Sequence, residues 1–195
     1  MSTDSRAAAA SNHDELTSAM SRRSFVFRLQ AAKVGADRDG SGFVLCLADV
    51  DQLRGVNDRH GQHVGDSVLT ELASRAVGLL QSPEWHAANG LVARFDGDGL
   101  MFMLERSSAL AGERFAEEFR RRITAEPFAR DLRVTASLGV ATYRSGESID
   151  ELLARTEKAL HLAKQFGRDR VETARTPEPR GRSASVTPIV RGARD

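Results

Sequence analysis

The turn at residues 94–100 carries the residue types best suited to hold a phosphate or a metal ion. It reads Arg94-Phe95-Asp96-Gly97-Asp98-Gly99-Leu100, with two carboxylates and two glycines, and short apolar runs lie on either side of it. Glycine permits positive φ and close approach of the backbone to another group, and aspartate adds acceptor oxygens and negative charge. Asp-Gly is also a common hairpin signal, so the pattern alone predicts a strand, a tight turn and a second strand.

Two further groups of charged residues can take part in the same chemistry. Asp49 and Asp51 follow the apolar run 43–48, at the carboxyl end of a predicted strand, where open α/β sheets place their ligand sites. A carboxylate pair in that position can equally end a strand and cap the next element. Lys164 and Arg168 lie in the last turn of a predicted helix, where the helix dipole favours cations whatever the function.

The periodicity of apolar residues predicts alternating helices and strands around these groups. Helices are predicted at 14–35, at 66–80 with Asp66 as the cap after a turn at 61–66, at 109–123, and from Ser148 or Asp150 to Gly167. Strands are predicted at 43–48, 91–93, 100–104 and 132–143, with Gly139 as a bulge, and a short one from Val171. The run 43–48 is apolar throughout, which predicts a central strand covered on both faces. The whole predicts one α/β sandwich, a sheet with helices on its faces.

Composition excludes several classes of protein. A chain of 195 residues with 41% hydrophobic and 28% charged residues is typical of one soluble globular domain. The net charge of +1 gives no reason to expect nucleic acid as a partner. The single cysteine, Cys46, rules out an internal disulfide, and neither a membrane span nor a secretory signal is recognisable. The chain is therefore predicted to be cytoplasmic, without insertion into a membrane.

The two ends of the chain differ in composition from the middle. Residues 1–13 have almost no bulky apolar side chain, and residues 174–195 are rich in proline and arginine. Segments of this kind cannot offset the entropy of ordering the backbone. Both are predicted to be disordered tails, the second one basic, around a domain at 14–173.

Five short segments occur in an order that resembles a known family. They are Asp14-Glu15-Leu16-Thr17 with Arg22-Arg23 and Phe25; Ala48-Asp49-Val50-Asp51 with Asn57-Asp58 and Gly65-Asp66; Arg94-Phe95; 134–141; and 159–164 with Gly167-Arg168. Together they resemble the GGDEF family, the diguanylate cyclases that condense two GTP molecules into cyclic di-GMP. The resemblance implies a nucleotidyl-cyclase-like sandwich with a central mixed sheet and helices on both faces.

The same resemblance implies roles for individual residues. Asp49 matches the first metal-binding aspartate, Asn57 and Asp66 match the pair that reads guanine, and Lys164 and Arg168 match the basic residues that hold the triphosphate. Mg²⁺ bound with GTP is implied wherever such a site is functional. Family cyclases work as dimers, so a homodimer is also implied.

The family's name motif differs here at three of five positions, because residues 96–100 read Asp-Gly-Asp-Gly-Leu. Asp96 replaces the first glycine and adds negative charge where phosphates must dock. Gly99 replaces the glutamate that is the second metal ligand. Asp98 keeps the position linked to activation of the attacking hydroxyl, but a base without a placed metal has little to activate. The family's inhibitory product site, an Arg-x-x-Asp motif, is replaced by 87–90, which reads Ala-Ala-Asn-Gly.

These departures predict a degenerate GGDEF domain that is not catalytic and acts as a regulatory module. Its expected partners are another signalling protein and, through the retained residues, GTP or a related guanine nucleotide. The alternative is a divergent active cyclase in which Asp96 supplies the missing carboxylate from the neighbouring position. A third interpretation is a structural interaction domain that binds no nucleotide.

Overall fold

The computed structural model describes residues 12–174 and contains five strands and five α-helices in that range. The strands are β1 (Phe43–Val50), β2 (Leu91–Arg94), β3 (Gly99–Glu105), β4 (Ala136–Thr142) and β5 (Val171–Thr173). The helices are α1 (Arg22–Asp39), α2 (Leu53–His60), α3 (Gln62–Leu80), α4 (Ala109–Ala125) and α5 (Ile149–Gln165). The predicted tails, 1–13 and 174–195, lie outside the described residues except at 12, 13 and 174.

β1 is the middle strand of one mixed sheet with the order β2-β3-β1-β4-β5. It is antiparallel to β3 and β4, and β4 is parallel to β5. Its side chains alternate between two cores, with Val44 and Cys46 on one face and Leu45 and Leu47 on the other. A strand covered on both faces is apolar throughout, so the predicted central position of 43–48 is confirmed.

Helices cover both faces of this sheet. α1 and α5 pack on the Leu45 face through Phe25 and Leu152, and α3 and α4 pack on the opposite face through Leu72 and Phe115. None of the helices in the range 12–174 is long and apolar enough to cross a membrane. The predicted sandwich, with a mixed sheet between two helical layers, is confirmed.

Several local predictions are also confirmed. β2 and β3 form the predicted antiparallel hairpin, and α4 and β5 lie where the sequence placed them. α5 begins at a capping box, in which Ser148 accepts from the backbone N–H of Glu151 and the Glu151 carboxylate accepts from Ser148. These elements are stabilised by residues close to one another along the chain, so local sequence patterns predict them.

The first helix was predicted to begin at residue 14 and end near 35, and both limits are wrong. The Asp14 carboxylate instead accepts from the Thr17 backbone N–H at 2.8 Å and from its hydroxyl at 2.7 Å, which closes a separate turn. α1 begins only after Ser21, whose side chain caps it by accepting from the N–H of Ser24. It continues to Asp39, because Gly40 then takes a left-handed conformation that ends the helix.

The segment before α3 also differs from the prediction. Residues 53–60 form the helix α2, which the sequence did not predict, and the predicted turn at 61–66 is reduced to Gly61 with φ of 89°. Asp66 therefore lies inside α3 and does not cap it. The two helices pack so closely that a Cβ on Gly65 would lie 1.8 Å from Oδ1 of Asn57. The glycine is required by this close approach, which leaves no mark in local periodicity.

The strand predicted at 132–143 is shorter, and its glycine is not a bulge. β4 starts at Ala136, and Gly139 keeps regular register with Leu47 of β1 and Glu172 of β5. A Cβ on Gly139 would lie 2.4 Å from the Thr156 carbonyl oxygen of α5. The glycine therefore allows α5 to pack directly against the backbone of the sheet.

Candidate functional site

The turn between β2 and β3 is held closed by its own backbone. The N–H of Gly99 donates to the carbonyl of Asp96 at 2.7 Å, and the N–H of Phe95 donates to the carbonyl of Gly99 at 3.2 Å. The Arg94 guanidinium adds a bond of 2.7 Å to the carbonyl of Gly97. The predicted signature turn, Asp96 to Leu100, is thus a tight turn followed by the first residues of β3.

Asp96 forms an ion pair with a residue of α1. The Arg22 guanidinium donates to its carboxylate at 2.9 Å and stacks over the Phe95 ring with its central carbon 4.4 Å from the ring centroid. The side chain of Asp96 is 67% exposed, so this ion pair is a surface pair. The sequence did not single out Arg22 as a partner of this turn.

Asp51 has a structural role in the fold, although the sequence grouped it with Asp49 as a candidate ligand pair. It is 6% exposed and accepts hydrogen bonds from the Thr135 hydroxyl at 2.6 Å and the Ser137 hydroxyl at 2.7 Å. It also accepts from the backbone N–H of Asp169 at 3.1 Å. With three donors around it, the carboxylate ties β1 to β4 and to the segment after α5.

Asp49 pairs with a lysine from the far end of the chain. The Lys164 ammonium of α5 lies 2.7 Å from its carboxylate, and the two side chains are 35% and 21% exposed, respectively. Burial raises the pKa of Asp49, and the nearby charges of Asp98 and Asp51 add to the rise, whereas Lys164 opposes it. Asp49 therefore lies close to both Lys164 and Asp98.

The residues present do not fit a divalent metal ion. The position directly across from Asp49 in the β1–β3 pairing is Gly99, which has no side chain to offer. Within residues 12–174 no group of three or more His, Cys, Asp or Glu side chains is arranged to hold an ion. Mg²⁺ prefers octahedral coordination by oxygen, and here the Asp49 carboxylate is bound to the Lys164 ammonium.

Asn57 is a buried acceptor without a partner. It lies in α2, and its Oδ1 atom makes no hydrogen bond among the described residues. The missing side chain of Gly65 leaves room for this amide against α3, and Asp66 follows directly, half-buried. An unpaired buried acceptor costs free energy unless a ligand or water satisfies it. The α2–α3 pair thus presents an amide acceptor and a carboxylate beyond the carboxyl end of β1.

The prediction that Arg168 lies in the last turn of a helix is wrong, because α5 ends at Gln165 and Arg168 lies beyond it in a left-handed conformation with φ of 65°. Its backbone N–H donates to the carbonyl of Ala163 at 3.0 Å, which holds the bend. The side chain is exposed and takes part in no ion pair among the residues that the structure describes. Arg168 is therefore a cation that remains available to a ligand.

The chain belongs to the GGDEF family. The family profile described as "Diguanylate cyclase, GGDEF domain" matches residues 11–170. Diguanylate cyclase DgcP of Pseudomonas aeruginosa is 31% identical over 164 residues, which is 83% of this chain and 24% of DgcP. The chain thus spans about a quarter of the length of this relative.

Solved structures agree with the fold. The GGDEF domain of DgcB from Caulobacter crescentus, in complex with c-di-GMP, superposes with a TM-score of 0.77 at 27% identity and covers 85% of this chain and 97% of that one. Diguanylate cyclase SiaD of Pseudomonas aeruginosa, in complex with its activator SiaC, superposes with a TM-score of 0.77 at 31% identity. The match covers 85% of this chain and 62% of the SiaD chain. The GGDEF fold predicted from the order of motifs is confirmed.

Proposed function

We propose that this chain is a degenerate GGDEF domain of cyclic di-GMP signalling that makes no cyclic di-GMP and acts by binding a partner protein, with a guanine nucleotide as its ligand. The observation that carries the proposal is the pairing of Asp49 with Gly99 across the sheet, with the Lys164 ammonium on the Asp49 carboxylate. Relatives named diguanylate cyclases support the assignment to this signalling system.

The loss of catalysis follows from the charges of the site. In phosphoryl transfer, divalent ions neutralise the developing charge and align the reacting groups. Asp49 alone is a poor ligand set, and Lys164 already neutralises it. Asp98 remains as a base, but a sugar hydroxyl without a metal beside it stays too weakly acidic for efficient transfer.

The alternative, an active cyclase that uses Asp96 as the missing ligand, has less support. Its carboxylate is held by Arg22 at 2.9 Å, on the side of α1. Recruiting it to Asp49 requires breaking that pair and bringing two carboxylates together. Like charges at close range disfavour such an arrangement unless a cation is already bound between them.

Retained polar groups support nucleotide binding. Asn57 supplies an unpaired buried acceptor, and Asp66 adds a carboxylate on the same pair of helices. The donor edge of guanine, with its ring N–H and amino group, is complementary to two such acceptors. Arg168 adds an exposed cation for a phosphate.

A turnover assay combined with calorimetry tests the proposal. The chain is incubated with GTP and Mg²⁺, cyclic di-GMP is quantified, and GTP binding is titrated in parallel. Binding without product is expected, and the related cyclase DgcP serves as the positive control for the assay. Sustained cyclic di-GMP production that disappears in Asp49→Ala or Asp96→Gly would overturn the proposal in favour of the divergent cyclase.

The outer face of α1 is the surface that we assign to the partner protein. Exposed residues spaced three or four apart form one line along the helix, here called the outer stripe: Arg23, Phe27, Ala31, Val34 and Arg38. Phe27 is 74% exposed and Val34 is 65% exposed, which is unusual for two large apolar side chains on one face. An open cavity of about 220 Å³ lies beside the stripe and is lined in part by Ala31 and Arg38.

The charges at the ends of the outer stripe favour a particular kind of partner. Packing against a second copy places arginine near arginine whether the two helices run parallel or antiparallel, because Arg23 and Arg38 flank the apolar residues. An amphipathic helix with acidic residues at both ends of its apolar face is complementary. The solved complex of SiaD with its activator SiaC supports the general idea of a GGDEF protein with a dedicated protein partner.

A further inference from the structure

The end of the site that is predicted to bind phosphate differs in charge from the end that is predicted to bind guanine. Lys164 and Arg168 are the two cations predicted to hold a triphosphate, and Lys164 is already paired with Asp49 at 2.7 Å. We infer that the site recognises its ligand through guanine and binds guanosine mono-, di- and triphosphates with similar affinity and without a divalent ion. This inference rests on the guanine-nucleotide binding proposed above.

The balance of charge around Asp49 is the first reason. Asp98 directly precedes Gly99, which pairs with Asp49 across the sheet, and Asp51 lies two residues after Asp49. Against these three acids stand Lys164 and Arg168. Each phosphate added to the ligand brings more negative charge towards a cluster that has no surplus of positive charge, so it adds little attraction.

The second reason is the cost of releasing Lys164. To reach a phosphate, its ammonium must leave a carboxylate that is only 21% exposed. A partly buried carboxylate that loses its partner is strongly disfavoured. In a metal-binding site an ion could take over the carboxylate, but Gly99 provides no second ligand for one. Lys164 therefore stays on Asp49 when the nucleotide binds.

The guanine end has no such conflict. Oδ1 of Asn57 is buried and unpaired, and Gly65 leaves the space that the amide occupies. To meet a guanine N–H the amide must turn this oxygen away from Gly65, and that turn breaks no hydrogen bond of Oδ1, since it makes none among the described residues. This gain is the same for guanosine and for every phosphorylated form, and it needs no metal.

A ligand series provides the first test. Isothermal titration of the whole chain with guanosine, GMP, GDP and GTP is carried out in Mg²⁺ and again in EDTA. The expected dissociation constants lie within about tenfold of one another and are unchanged by EDTA. GTP binding that requires Mg²⁺ and is far tighter than GMP binding would overturn the inference while leaving the proposed nucleotide site intact.

The variant Asp49→Asn provides the second test, because the two interpretations predict opposite signs. If Lys164 is held by Asp49, removing the charge frees it, and GTP should bind about tenfold tighter in EDTA while guanosine is unaffected. If Asp49 holds a metal, the same variant should weaken GTP binding in Mg²⁺, where the first interpretation still predicts tighter binding. The double variant Asp49→Asn, Lys164→Gln is expected to lose the gain, which ties it to the lysine.

The remaining outcomes are also decisive. If neither guanosine nor any guanine nucleotide binds the wild-type chain, both this inference and the nucleotide part of the proposed function fail. If Asp49→Asn proves too unstable to titrate, the comparison of wild-type ligands in Mg²⁺ and EDTA still decides the matter. Binding of ATP as tightly as GTP would overturn recognition through guanine.

Discussion

Asp49 and Asp51 are separated by one residue, yet the fold gives them different surroundings. Asp51 is enclosed by three hydrogen-bond donors, two of them side chains from the segment leading into β4 and from β4 itself. Asp49 instead faces Gly99 across the sheet and carries Lys164. Alternation along a strand would place residues 49 and 51 on the same face, but β1 ends at Val50, and the partners of both side chains come from distant elements.

We expect Asp51→Ala to destabilise the domain by about 3 kcal/mol, because it leaves buried donors from Thr135, Ser137 and Asp169 without an acceptor. Asp51→Asn keeps one acceptor, the amide oxygen, and should lower the free energy of unfolding by less. Urea denaturation followed by circular dichroism measures both free energies of unfolding.

Asp58→Ala is the matched control, because the Asp58 side chain is 71% exposed and its pairing with Arg54 is long, at 4.0 Å. It should change the free energy of unfolding by no more than about 0.5 kcal/mol. An Asp51→Ala variant as stable as this control would show that the buried hydrogen bonds contribute little.

At the scale of elements, α1 is apolar on two sides. Phe25 and Leu29 are fully buried against the sheet, while Phe27 and Val34 of the outer stripe face solvent. A helix that only covered a core would show one apolar face. This second apolar face is the reason why we propose a partner surface on α1.

Phe27→Glu is expected to weaken binding of a synthetic amphipathic helix with glutamate at both ends of its apolar face. Loss of an exposed aromatic anchor and added like charge should lower the affinity at least tenfold, roughly the effect of losing an interface hot spot. Fluorescence anisotropy of the labelled peptide measures it, and thermal stability should not change because Phe27 is 74% exposed.

Leu110→Glu is the matched control on α4, since Leu110 is 66% exposed and lies outside the outer stripe. Peptide affinity should be unaffected in this variant. If both variants weaken peptide binding equally, the peptide does not bind at the outer stripe. If the wild type self-associates and Phe27→Glu abolishes that self-association, the occupant of the stripe is a second copy of the chain and not the proposed partner.

At the scale of the whole molecule, the end of α1 is joined to the turn after β4 through one carboxylate. Asp37 accepts from the Lys33 ammonium at 2.5 Å, the Tyr143 hydroxyl at 2.6 Å and the Gly146 N–H at 3.1 Å. These bonds, that from Lys33 foremost, hold the pKa of Asp37 well below its ordinary value of 3.8. Tyr143 also stacks on Phe43 of β1, which extends the connection into the sheet.

A lowered pKa links this junction to acid stability. Asp37 contributes fully to stability above its ordinary pKa of 3.8, and the contribution is lost as the pH falls below that value towards the lower pKa of the folded state. We expect Asp37→Asn to lower the melting temperature at neutral pH and to flatten its decline in acid. Melting curves from neutral to acidic pH test this, with Asp58→Asn as the exposed control. If the melting temperature of Asp37→Asn falls with pH as steeply as that of the wild type, Asp37 does not contribute to acid stability in this way.

The sequence by itself determined the layout of the domain and its family. Apolar periodicity and capping residues are local signals, so the central strand, the β2–β3 hairpin, α4 and the start of α5 at Ser148 were all legible from it. The order of motifs predicted the GGDEF fold, which the family match and the solved structures confirm. The reading of Asp96 and Gly99 as departures from the signature also needs only the sequence.

Tertiary structure alone decided which charged groups meet. Arg22 and Asp96 are 74 positions apart, and the Asp51 carboxylate reaches the backbone of Asp169 across 118 positions. It also decided that α2 exists, because a helix of eight residues is not stable alone and Leu53 and Val56 hold this one against the core. Contacts between distant residues follow from how the elements pack in space, and no local pattern in the chain encodes them.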